Sequence, residues 1–204
     1  MSLGMKTNND SLLKLKTRDN EIKKVMVYGL DGTGKSTFAE EYCTKNKLNA
    51  IVIDIDNTNF TNLPIIDLDI STDLKAYNNI KNVISEISKS NYDTIIIDGV
   101  SSLLELLTSK ANGMKAYKDR ADRFSTILQA LNTSGKNIIL IGQADMEVIY
   151  NDEYQSPKPI IKVNSIVNEK YYTFIEKGVF SSKVVKFREH KKSLKNNDLK
   201  IKGE

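Results

Sequence analysis

Eight consecutive residues, Gly29-Leu30-Asp31-Gly32-Thr33-Gly34-Lys35-Ser36, followed by Thr37, satisfy the pattern G-x-x-x-x-G-K-[ST]. Glycines at this spacing let the backbone bend tightly, so that successive N–H groups point inward at phosphate oxygens. A helix opening at the end of the turn adds unpaired N–H donors and the positive end of its dipole. Lys35 supplies a point charge for β- and γ-phosphates, and the Ser36 hydroxyl suits the coordination shell of Mg²⁺. The pattern therefore implies capture of a nucleoside triphosphate, with Mg²⁺. A chance glycine-rich turn is the plain alternative, and agreement at every position and on both flanks counts against it.

Two further polar residues stand where such a ligand needs them. The stretch 92–104, YDTIIIDGVSSLL, runs through β-branched residues to Asp98 and then breaks at Gly99. An acid at the tip of a buried strand beside a phosphate loop is expected to hold Mg²⁺, commonly through water. The segment 137–143, NIILIGQ, ends another apolar run on Gln143, whose side chain could hydrogen-bond a γ-phosphate or an attacking water. A plain strand end is the alternative for both. The segment 49–56, NAIVIDID, places Asp54 and Asp56 at the end of a third apolar run, and in open parallel sheets ligands collect at the carboxyl ends of strands.

The elements that must position these residues are legible around them. Residues 24–28 (KVMVY) predict a short strand before the loop, and FAEEYCTKN predicts a helix after it. Residues 65–70 could form a short strand. Leu74, Tyr77, Ile80, Val83, Ile84 and Ile87 recur at helical spacing behind Ser71 or Thr72 as N-cap. Residues 99–134 predict two helices broken near Asn112-Gly113, the second turning Met114, Tyr117, Ala121, Phe124, Ile127, Leu128 and Leu131 inward. Its charged face, with Lys115, Lys118, Arg120 and Arg123, predicts solvent exposure or contact with a neighbour's phosphates or a DNA backbone. Residues 146–159 predict a long loop, and 160–167, 170–175 and 183–187 predict antiparallel strands extending the sheet.

Composition bounds the rest. The chain of 204 residues is 40% hydrophobic and 27% charged, which suits one globular domain. Its net charge of +4 permits nucleic-acid contact without requiring it. No apolar run approaches a membrane span, and one cysteine, Cys43, fits a reducing cytoplasm and a core position in the helix after the loop. The expected organisation is a cloning remnant over 1–4, an arm or edge strand over 5–23, a nucleotide-binding domain over 24–188 and a basic tail over 189–204. The tail holds His190, the one histidine, to which no role is assigned.

The order of elements and the motifs GLDGTGKST, VIDID and TIIID resemble a RecA-like P-loop ATPase core. That resemblance implies an α/β three-layer sandwich, a mostly parallel sheet with helices on both faces and C-terminal antiparallel hairpins. It also implies ATP and Mg²⁺ as ligands, with Lys35, Asp56, Asp98 and Gln143 catalytic and Ser36 and Asp98 at the metal. Asp56 would orient the attacking water, although the family more often has Glu there. A neighbouring subunit would supply a basic residue in trans. The size and YDTIIIDGVSSL look like phage nucleotide-binding proteins linked to single-strand DNA annealing and recombination, in a bacterial or phage-infected cell. GLDGTGKST and Asp122-Arg123 also resemble thymidylate kinases, but residues 144–160 contain no arginine for a basic lid. A nucleotide-gated binding module with little hydrolysis is a further alternative.

Overall fold

The computed structural model describes residues 22–58, 60–108, 113–144, 163 and 166–187. The readings for the leading remnant, most of the arm, the 146–159 loop and the tail beyond residue 188 lie outside these residues.

Seven strands form one sheet: β1 (Lys24–Gly29), β2 (Ala50–Asp54), β3 (Ile65–Ile66), β4 (Thr94–Asp98), β5 (Asn137–Gln143), β6 (Glu169–Glu176) and β7 (Val179–Phe187). Their spatial order is β3-β2-β4-β5-β1-β6-β7. All neighbours are parallel except β6 and β7, which form an antiparallel hairpin. The central strands read as near-continuous apolar runs because both their faces are covered. In β4 every residue is buried. Each fully buried Ile there contributes about 1.5–3 kcal/mol relative to exposure.

The helices are α1 (Lys35–Asn46), α2 (Asp73–Ser88), α3 (Val100–Leu106) and α4 (Met114–Thr133). Alternate strand residues feed two cores. Val25, Val27, Val52, Ile96, Ile139 and Ile141 pack with Ala39, Tyr42 and Cys43 of α1. Met26, Ile53, Ile95, Ile97 and Leu140 pack with Ile80, Ile84 and Ile87 of α2 and with α3 and α4. The result is the expected three-layer α/β sandwich. The α2 start is fixed by Thr72, whose side chain accepts from the Lys75 N–H, satisfying one of the helix's orphan donors.

Three expectations change. β6 runs parallel to β1, and the antiparallel partner is β7 alone, because the chain returns to the sheet on the far edge of β1. Of the expected strand 160–167, Val163 and Ile166 are helical. Met114 and Tyr117 are 89% and 63% exposed, and Ala116 between them is the residue of the first turn that is buried.

Candidate functional site

The phosphate loop joins β1 to α1. Gly34 caps α1 in the left-handed region at φ 76° with no side-chain cap, so no N-cap side chain takes up the first N–H groups of the helix. Thr33 Oγ1 donates to the Leu30 carbonyl at 2.7 Å and meets Thr173 Oγ1 of β6 at 2.9 Å, closing the loop and fastening it to the sheet. Lys35 Nζ folds back onto the Leu30 carbonyl at 2.8 Å. Asp31, Gly32 and Thr37 are exposed along the same turn.

Sheet order then brings the other candidates in. β5 lies between β1 and β4, so its tip stands between the loop and Asp98. Gln143 is level with Gly29 in the β1–β5 register and donates Nε2 to Asp31 Oδ1 at 2.8 Å. Its backbone N–H donates to Ser101 Oγ at 3.2 Å. Asp98 ends β4 almost fully buried and accepts from Ser36 Oγ at 2.8 Å, joining the tip of β4 to the loop's hydroxyl.

Burial lifts the Asp98 carboxyl above the ordinary carboxylate range. Hydrogen bonds from Ser36 and Thr58 pull it down, and the nearby charges of Asp54 and Asp56 push it up again. Asp54 is level with Asp98 in the β2–β4 register. Asp56 lies just beyond β2, exposed, and its carboxylate packs on the backbone of Gly99, where a β-carbon would sit 2.5 Å from Oδ1. Gly99 holds φ 88°, so the turn from β4 into α3 requires a residue free of that β-carbon.

Loop, strand order and the buried acid of β4 together describe a nucleotide-binding ATPase core, and a family model described as an AAA domain matches residues 21–179. The chain belongs to the AAA-domain family. No curated protein matches it in sequence. The AAA domain spans β1 through the β6–β7 turn and holds every candidate site residue. No helix among the described residues is long and apolar enough to cross a membrane.

AAA-type ATPases generally use a nucleotide with Mg²⁺, and the donor set here fits that ion. Among the described residues no three His, Cys, Asp or Glu side chains form an all-protein cage. Mg²⁺ is usually held by one or two carboxylates, waters and substrate phosphates. A buried carboxylate hydrogen-bonded to a hydroxyl, with two more carboxylates adding negative charge, is a site that a hard cation would stabilise. Ser36 and Asp98 are the residues that would hold it.

Sequence reasoning left some neighbours unassigned. Asp54 was visible as the first acid of VIDID. Thr58 and Ser101 carry no motif, and Thr173 reaches the loop from 140 residues away, which no local signal encodes.

Basic residues were also placed. Arg123 donates to Asp73 at 2.6 Å and reaches the Leu107 carbonyl, bridging α4 to α2. Arg120 lies over the Tyr117 ring, while Lys115 and Lys118 are exposed.

Proposed function

We propose that this AAA domain is a Mg²⁺-dependent ATPase of the RecA-like kind, acting with single-stranded DNA in phage-type recombination or annealing. The observation that carries the reading is the 2.8 Å hydrogen bond between Ser36 and Asp98, which unites the phosphate loop and the acid of β4 in one polar cluster. In this reading the loop amides from Gly29 to Thr37 cradle the phosphates, and Lys35 leaves the Leu30 carbonyl to neutralise the β- and γ-phosphates. Mg²⁺, when bound, offsets charge developing on the phosphoryl oxygens. Asp56 orients the attacking water and Gln143 senses the γ-phosphate. A basic residue from a second copy completes the site, so an isolated copy turns over slowly. Exposed Lys115 and Lys118 and the lysines of the tail offer charge to a DNA backbone.

Kinase chemistry has less support. Its distinguishing pair is Asp122-Arg123, and Arg123 is engaged by Asp73 on α2. Phosphate release from ATP, measured with and without single-stranded DNA and with thymidine monophosphate, tests the proposal. DNA-stimulated release is expected, and Lys35→Ala should abolish it together with nucleotide binding. Thymidine diphosphate as product would replace the proposal with a kinase, and tight binding without release would replace it with a gated binding module.

A further inference from the structure

The β6–β7 turn presents an apolar surface directly beside the phosphate loop. Ile175 and Phe180 face each other across the hairpin and are 51% and 65% exposed. Phe180 lies against Gly34, the residue that caps α1: a β-carbon there would stand 3.1 Å from Phe180 Cδ1. The hairpin is held in that position by the Thr33–Thr173 hydrogen bond and by the pairing of Gly29 with Thr173. An aromatic side chain left open to water on a fixed strand gains from being covered.

The direction of the site says what covers it. Asp98 and Gln143, the groups suited to the γ end of a triphosphate, lie on the β5–β4 side of β1. β6 and β7 lie on the opposite side. A triphosphate running through the loop with its γ end at Asp98 therefore carries its sugar and base toward β6 and β7. We propose that Phe180, with Ile175 beside it, is the platform on which the base of the bound nucleotide stacks. The proposal rests on the loop being a nucleotide site and adds the element that distinguishes a nucleotide from a bare phosphate chain.

Titration calorimetry with Mg·ATP and with Mg·tripolyphosphate separates the two. Phe180→Ala should weaken ATP roughly ten- to hundredfold, the range of one aromatic–base stack, and leave tripolyphosphate unchanged. Phe180→Tyr should bind ATP within about twofold of the parent, since it keeps the ring. Thermal melting of each variant confirms that the fold is retained. Equal weakening of both ligands would make Phe180 a brace for the loop, tighter binding of both would make it a cover over the loop, and unchanged ATP binding would place the base elsewhere. Each of these overturns the proposal. A parent protein that binds neither ligand would instead remove the nucleotide site itself, and the platform with it.

Discussion

Gln143 donates its side-chain amide to Asp31 Oδ1 at 2.8 Å, tying the tip of β5 to the exposed crest of the phosphate loop. A hydrogen bond to a charged acceptor at the surface holds the amide in place and sets a negative charge beside it. Asp31→Ala removes that charge from the neighbourhood of an incoming γ-phosphate. It should tighten ATP about two- to tenfold relative to ADP, measured as the ratio of the two affinities. Gln143→Ala should lower turnover with ADP affinity unchanged. An ADP affinity that falls in step with turnover would make Gln143 a support for the loop instead of a sensor.

The carboxylates of β2 and β4 separate binding from turnover. Asp98→Asn should erase the rise in melting temperature that Mg²⁺ adds to ATP, while the protein without ligand stays as stable as the parent. The reason is that Asn is neutral and still accepts from Ser36, in a place where Asp54 and Asp56 already crowd negative charge. Asp56→Asn should leave ATP affinity intact and slow phosphate release about a hundredfold, the scale of a water-orienting base. An unchanged rate would take Asp56 out of the mechanism.

Arg123 and Asp73 form a partly buried ion pair, and the guanidinium holds the Asp73 carboxyl below its usual range. Arg123→Ala should cost about 1–3 kcal/mol in urea unfolding, because it strips a half-buried carboxylate of its hydrogen-bonded partner. Nucleotide binding should not change. A loss of ATP turnover at unaltered stability would return Arg123 to the chemistry and revive the kinase reading.

Burial pushes the Cys43 thiol up to about 12 from 9.0, aided by the charges of Asp93 and Glu40. An unfolded chain thus loses this proton more readily than the folded one. The stability contribution is complete below about pH 9 and declines as pH rises from there toward 12. Cys43→Ala should flatten the alkaline fall in unfolding free energy by up to about 1.4 kcal/mol per pH unit over that window. Tyr42 and Tyr171, raised by burial and by their shared partner Glu169, leave a residual slope in the variant. At pH 8 the native thiol should resist alkylation until the chain is unfolded.

The parts legible in the sequence were those with local signals. The loop is a contiguous motif, and β1, β2, β4 and β5 announce themselves as apolar runs because they are buried on both faces. Asp98 and Gln143 could be placed because each ends such a run. Strand direction was not legible: the alternation of β6 is the same whether its neighbour runs parallel or antiparallel, and only the tertiary path decides. In the first turn of α4 it is Ala116 that is buried while Met114 and Tyr117 stand exposed, so apolar spacing placed the inward face on the wrong residues there. Phe180 beside Gly34 is a contact between distant segments, and a lone phenylalanine in a strand gives no sign of it.

The position of β1 also sets a schedule. It is the first strand among the described residues, yet both its neighbours come late: Lys23 bonds Asn137 across 114 residues, and Lys24 bonds Asn168 across 144. Chains emerge from the ribosome N-terminus first, and pairings this distant in sequence are slow to close. During synthesis β1 must therefore wait for β5 on one edge and, until close to the end of the domain, for β6 on the other. A nascent chain that stops short of β6 therefore carries the full loop motif but lacks Thr173, the partner that fastens Thr33 to the sheet.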